Sequence, residues 1–298
     1  MGSALHSRPL FPERAAPSGA LRNRILFLSL LWLLVLMPFL FWRGTWFGRP
    51  LSDQQLETYL HDNNPSHAQH ALLQLGNRMA HKDPTVEVWY PELVELAAAP
   101  DKVVRAASAR VMGEDSSSPV FHDLLRQMLD DDSSAVRQEA ALSLARFGDG
   151  AGHDLILALL QPWKARAPLP GRVVELAMGG MNITPDGVLV KLDCGGSLVD
   201  IHPPHAGRVG SASVHPGEQV AAGAELITLE PSVDSAWRGL RALISIGRSE
   251  DLPTVDAYLN FSPLVHERIR QQAVMADKTI RDRNSVATSQ QEAAVPNK

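Results

Sequence analysis

The chain has 298 residues, 45% hydrophobic and 20% charged, with a formal net charge of -5. Its ordinary apolar content excludes disorder over the whole length, its single cysteine, Cys194, excludes a disulfide scaffold, and its negative charge argues against a nucleic-acid coat. The length allows two domains, and a mean hydropathy of -0.09 argues against a polytopic membrane protein.

Residues 1–24 carry Arg8, Arg14, Arg22 and Arg24 against one acid, Glu13. No charge then interrupts residues 25–42, ILFLSLLWLLVLMPFLFW. At 1.5 Å per residue such a helix is roughly 27 Å long, enough to cross a hydrocarbon core. Pro38 is tolerable near one end, and Trp42, Trp46 and Phe47 suit the exit interface. Only Arg43 and Arg49 follow closely, so the positive-inside rule keeps 1–24 as a cytoplasmic basic tail. Residues 25–42 then form a transmembrane signal anchor whose partner is membrane lipid. A cleaved signal peptide fits less well, because RGTWFG offers no small-residue cleavage site. A buried core helix would be apolar all round beside an Arg-rich tail. The expectation is a single-pass bacterial inner-membrane protein with its body in the periplasm. That body is more acidic than the whole chain, which suits a domain held off an anionic membrane surface.

Residues 52–165 read as a helical repeat. In VRQEAALSLARFGD (Val136–Asp149), Val136, Ala140, Ala141, Leu144 and Phe147 share one helical face. VRAASARVM (Val104–Met112) and HAQHALLQLG (His67–Gly76) repeat the pattern upstream. Each places a small residue mid-helix and a bulky one four further on: Ala71/Leu75, Ser108/Met112 and Ala140/Leu144. Each is preceded by another apolar helical stretch, LSDQQLETYL, WYPELVELAAA or SPVFHDLLRQML. The breaks carry helix-stop and N-cap residues: Asp62-Asn63-Asn64-Pro65, Pro100-Asp101 and Asp130-Asp131-Asp132-Ser133-Ser134. The unit is a helical hairpin of roughly 30–40 residues, which buries its apolar face only by stacking on others.

These features resemble the HEAT-repeat family, including its short phycobilisome-lyase variant. Val136-Arg137, Ala140-Ala141 and the late Leu144-x-x-x-Gly148 match that family's second helix. The pattern returns in residues 234–283. Ile269-Arg270-Gln271-Gln272-Ala273 parallels Val136–Ala140, and RALISIG (Arg241–Gly247) echoes HALLQLG (His70–Gly76). The resemblance implies an α-solenoid and protein–protein interaction, and implies no activity. Alanine-rich amphipathic helices in a non-repetitive bundle are the alternative.

The pattern changes after Pro168, and from Thr184 apolar residues alternate or cluster in short runs: Val188–Val190, Leu198–Ile201 and Leu226–Leu229. Gly195-Gly196, Pro203-Pro204, Pro216-Gly217 and Ala222-Gly223 punctuate them, so residues 184–231 read as short strands joined by tight turns. Pro204-x-x-Gly207-Arg208-Val209, Val214, Gly217, Val220, Gly223, Leu226, Leu229 and Glu230 together resemble a biotinyl/lipoyl-type barrel-sandwich module. Membrane-fusion proteins, the periplasmic adaptors of HlyD-type secretion, carry such modules. Carrier modules that bear biotin or lipoate display a lysine after this glutamate. Here Pro231-Ser232-Val233-Asp234 follows, and Lys191 falls within a strand, so no prosthetic group and no cofactor is expected. No long heptad segment supplies an adaptor's coiled coil.

His202, His205 and His215, with Asp200 nearby, are the weak candidates for a metal site. Zinc or copper needs three or four convergent ligands, and the two prolines between His202 and His205 splay the rings. Surface or turn histidines are the simpler reading. The same holds for His67 and His70, one helical turn apart near His61 and Asp62. Cys194 has no cysteine partner, and no phosphate loop, G-x-S-x-G elbow or H-E-x-x-H is present. Asp130-Asp131-Asp132 lacks an ordered Ca²⁺-loop pattern and suits a helix N-terminus. Two Asn-x-Ser/Thr sequons, at Asn182 and Asn260, have no meaning in a bacterial host. Residues 284–298 are polar and expected to be disordered.

The sequence therefore predicts a mainly helical HEAT-like solenoid, a small all-β insert and one N-terminal transmembrane helix. The expected function is a non-enzymatic membrane-anchored scaffold with a protein partner and no nucleic acid. The expected contact surface is the face of first helices and inter-repeat loops. The rival is an adaptor subunit of an efflux or secretion system.

Overall fold

The computed structural model describes residues 23–24, 27–34, 51–62, 64–259 and 267–293, with side chains to residue 285. Two units are distinct, residues 1–52 and residues 53–298.

In the first unit, residues 23–24 and 27–34 are helical. Most of the expected tail and anchor lies outside the described residues. Among the described residues, no helix is long and apolar enough to cross a membrane.

The second unit opens with helical hairpins. Helices α1 (Asp53–Leu60) and α2 (Pro65–Ala80) form the first. A 3-10 turn (Pro84–Trp89), α3 (Tyr90–Leu96) and α4 (Lys102–Met112) form the second, and α5 (Pro119–Gln127) and α6 (Ser134–Arg146) the third. The boundaries follow from capping. Asn64 accepts from Ser66 N–H, Asp101 from Val103 and Val104 N–H, and Ser118 from Phe121 N–H. Pro65 and Pro119 occupy the first turns, where a missing N–H costs nothing. The repeated small and bulky positions (Ala71/Leu75, Ser108/Met112, Ala140/Leu144) are all fully buried. Small residues let the second helices α2, α4 and α6 pack side by side.

The array continues through a fourth hairpin that the chain interrupts. Helix α7 (His153–Ala158) is followed by eight strands before α8 (Val233–Ile246) completes the pair. A fifth pair, α9 (Leu252–Leu259) and α10 (Glu267–Ala293), closes it. Helix α8 packs on α6 and α7, and α10 packs on α8. One core holds them: Ala141, Ala145, Ile156, Leu160, Leu240, Leu243, Val255, Ala273 and Ile280 are all buried in the same cluster. The second-helix row is thus α2, α4, α6, α8, α10, and it crosses the β insert without a gap.

The strands are β1 (Trp163–Arg166), β2 (Gly171–Leu176), β3 (Asn182–Ile183), β4 (Val190–Asp193), β5 (Leu198–Ile201), β6 (Gly207–Ala212), β7 (Gln219–Val220) and β8 (Glu225–Pro231). They make two antiparallel four-stranded sheets, ordered β1-β8-β6-β3 and β5-β4-β2-β7. Val173, Val190, Leu192 and Val220 of one sheet share a core with Ala165, Val209, Ile227 and Leu229 of the other. Gly195, Gly196, Gly217 and Gly223 take positive φ at the turns.

Three expected boundaries move. Strand structure begins at Trp163, not Thr184, because β1 and β2 supply the partners of β8, β4 and β7. The last helix before the strands, α7, accordingly ends at Ala158. The polar tail expected to be disordered from 284 is helical to Ala293. No proline or glycine interrupts residues 267–293, and the buried Ile269, Ala273, Ala276 and Ile280 anchor the helix that the polar residues continue.

A candidate interaction surface on the second-helix row

Polar side chains cross the second helices in register. Ser143 Oγ on α6 donates to Ala109 O on α4 at 2.8 Å, both groups buried. One turn further, Arg146 donates to Gly113 O at 3.1 Å and pairs with Glu114. Gly113 is required for this approach: a Cβ there would lie 2.7 Å from Ser143 Cβ.

Glu139 is the junction of three helices. Its carboxylate accepts Arg110 Nη2 of α4 at 2.8 Å and Arg238 Nη1 of α8 at 2.8 Å. Both guanidiniums are bidentate, the second contacts being Arg110 Nε at 3.1 Å and Arg238 Nη2. Burial alone raises the Glu139 carboxyl, but the hydrogen bonds from Arg238 and Arg110 outweigh it and hold the group below its ordinary range. The carboxylate is buried and ionised, with two cations for one anion.

Beside this junction lies an open groove of about 480 Å³, bounded by α4, α6 and α8. Leu142, Ala145 and Ala242 supply its apolar surface, and Trp237 one wall. Arg241 places its guanidinium carbon 5.2 Å from the Trp237 ring centroid. Arg268, from the first turn of α10, lies 4.2 Å from the same centroid. The arrangement offers fixed cations around an aromatic surface.

The sequence pointed to the first helices and inter-repeat loops. A second open groove, of about 510 Å³, lies at those loops, lined by Pro100, Asp101, Lys102, Arg105, Asp132 and Ser133; the apolar side chains Val88 and Val120 are exposed. Glu139 and Arg238 carry no local signal, since they are 99 residues apart and meet only through the fold.

The histidines do not converge. His202 is exposed and its Nδ1 lies 3.0 Å from Gly187 O, whereas His215 is almost fully exposed beside Glu218. His205 is buried, with Nδ1–H donating to Ala206 O at 3.1 Å and Nε2 unpartnered. Burial pushes its pKa down, which keeps the ring neutral. His67 pairs with Asp62 and stacks on Tyr59, while His70 Nε2 meets Gln74 at 3.0 Å. Among the described residues, no group of three or more His, Cys, Asp or Glu is placed to hold a metal. Lys191 lies in β4 with Asp200 at 3.8 Å, and Cys194 is half-buried with a free thiol. Arg105 binds Asp131 and Asp132, which accounts for two carboxylates of the acidic run as structural partners.

Comparison with known proteins follows the same division. No curated protein matches the chain. Among solved structures, a single-chain, multi-domain long-chain acyl-CoA carboxylase is 24% identical with a TM-score of 0.23. The likeness covers 42% of this chain and only 13% of that one. An engineered protein is 15% identical with a TM-score of 0.38, covering 76% of this chain and 78% of that one. Both superpose too loosely to bear on fold or function. The HEAT-repeat family model matches residues 53–145 and 90–166, the span of α1 to α7 and β1. HEAT repeats are therefore present in this protein.

Proposed function

We propose that the protein is a non-enzymatic, membrane-anchored scaffold of the bacterial periplasm that holds a protein partner on its helical array. The observation that carries this reading is the unbroken second-helix row, with the Trp237 groove opening on it. HEAT arrays generally mediate protein–protein contacts, and their extended surfaces recognise partners without active-site chemistry. The uncharged run at 25–42, with arginines before it, supports the anchor and the cytoplasmic N-terminus.

The β insert is read as a barrel-sandwich module without a prosthetic group. Two facing four-stranded sheets with a shared core support this. Where a carrier module would turn through its lysine hairpin, β8 runs directly into α8, capped by Ser232, and β1 enters beside it with Trp163 opposite Leu229. The insert is held against the helices, where Ser235 Oγ donates to Ala206 O at 3.0 Å and Lys102 pairs with Asp186, and this supports an assembly role. A HlyD-like adaptor is the rival, and it lacks a coiled-coil hairpin here.

Crosslinking of the full chain in native bacterial membranes, with partner identification, tests the proposal. A stoichiometric protein partner that is not a transporter subunit is the expected result. Recovery of an efflux or secretion subunit favours the adaptor, and no protein adduct at any position overturns the scaffold. A reporter fused after Lys298 that is active only in the cytoplasm overturns the orientation.

A further inference from the structure

We propose that the Trp237 groove receives an acidic, extended segment of the partner protein, with carboxylates bound by Arg241 and Arg268. This rests on the scaffold reading and names the chemistry of its partner.

Three of the nearby arginines are already engaged. Arg110 and Arg238 share Glu139, and Arg146 has Glu114 and Gly113 O. Arg241 and Arg268 have no carboxylate among the described residues, and each rests on the indole of Trp237. Stacking on an aromatic face leaves the in-plane N–H groups of a guanidinium open, in the fork that matches a carboxylate. Two such forks are held at one wall of a groove.

Charge points the same way. The chain is net negative, yet this groove gathers Arg110, Arg146, Arg238 and Arg241, with Arg268 beside them on Trp237, against Glu114, Glu139 and Asp234. One of those three acids, Glu139, is buried beneath its arginines. A local cation surplus on an acidic protein attracts an acidic segment.

Shape selects a polypeptide. The apolar surface is recessed between helices, with Ala242 buried and Leu142 half-buried. A flat anionic bilayer would meet the arginines but not that floor. An extended chain alternating acidic and apolar side chains reaches both, and about 480 Å³ accommodates several side chains.

The test uses the full chain in detergent micelles. A fluorescein-labelled peptide alternating Glu and Leu is titrated by anisotropy, with the same peptide carrying Lys for Glu as its control. Arg241→Glu with Arg268→Glu should weaken Glu-peptide binding by more than about tenfold, the effect of losing charge-assisted pairs. Lys278→Glu, half that charge change and further along α10, should change it little. Both arginines are exposed, so circular dichroism of the double variant should match the parent. Unchanged affinity in the double variant, or equal binding of the Lys peptide, overturns the inference.

A photoreactive residue at Ser245, which lines the groove, or at Val88 on the first-helix side then reads the site in native membranes. The expected adduct forms at Ser245, maps to an acidic segment and disappears in the double arginine variant. A protein adduct at Val88 alone overturns the groove assignment and leaves the scaffold standing. A lipid adduct at Ser245 overturns the choice of polypeptide.

Discussion

Replacing Glu139 by Gln tests whether the α4–α6–α8 junction holds the array together. Glu139 keeps 9% of its side-chain surface, against 21% for Arg238 and 60% for Arg110. With charge centres near 4 Å and an effective dielectric near 20, each arginine would contribute about 4 kcal/mol of raw attraction. Most of that offsets the several kcal/mol cost of removing the carboxylate and the more buried guanidinium from water. The Arg110 arm is largely in solvent and is worth under about 1 kcal/mol. Removing the shared anion, however, leaves Arg238 facing Arg110 without the carboxylate that bridges them, a change that costs about 3 kcal/mol at the lower end of the range for broken buried pairs. Urea unfolding of the full chain in micelles, followed by far-ultraviolet circular dichroism, reads this as a lower midpoint for E139Q. R238Q should fall below the parent by more than R110Q does. An E139Q midpoint equal to the parent's, or a larger loss for R110Q than R238Q, would refute the reasoning. The pH dependence has a definite sign. The folded pKa of Glu139 is depressed, so its contribution is fully present above its ordinary value of 4.5 and is lost as pH falls through the folded value. The gap between parent and E139Q should therefore close on acidification.

Gly113→Val should cost about 1–3 kcal/mol, because a side chain there meets Ser143 on the adjacent helix; the same urea titration measures it. His153→Ala should destabilise by about 2 kcal/mol or more, since it removes the ring nitrogen 2.8 Å from the buried Asp251 carboxylate, whose other oxygen already has no partner. Acid titration by circular dichroism should show a further loss below the ordinary aspartate value of 3.8, where Asp131 and Asp149, held at about 2 by Arg105 and Arg126, take up protons. Replacing residues 162–231 by a short Gly-Ser linker should leave the helical signal and the α6–α8 packing intact, because the core formed by residues 141–160 and 236–280 contains no strand residue; loss of helix on this deletion would refute that independence.

The sequence made the second helices legible because their repeat is dictated by packing. A small residue where two helices touch and a bulky one four positions on must recur in every hairpin, and they do at Ala71/Leu75, Ser108/Met112 and Ala140/Leu144. The echoes at Arg241–Gly247 and Ile269–Ala273 fall on α8 and α10, the next members of the row. β1 and β2 were not legible. WKAR turns only Ala165 fully inward, and GRVVEL only Gly171 and Val173, too short an alternation to stand out from a linker. The groove was hidden for a different reason. Glu139 in VRQEAAL reads as a solvated helix position, and only Arg110, 29 residues earlier, and Arg238, 99 later, make it a buried ion.

The insert and the array are compatible because of where the chain is opened. In a stacked repeat each hairpin touches only its neighbours, so its turn can grow without disturbing the stack, provided the helices on either side still meet. Helices α7 and α8 do meet: Gly239 lets α8 approach Leu160 and Ile156 at van der Waals distance, where a Cβ would lie 2.9 Å from Leu160. Tyr258 Oη of α9 donates to Leu160 O at 2.7 Å, fixing the point at which the chain leaves the array for β1. Ser232 and Ser235 fix the point of return, one capping α8 and the other binding Ala206 O. With exit and return both pinned, the strands build their own core between the sheets, and Glu139 binds Arg238 across the whole excursion. The Trp237 groove exists only because of that closure, since its walls come from α4 and α6 before the insert and from α8 after it.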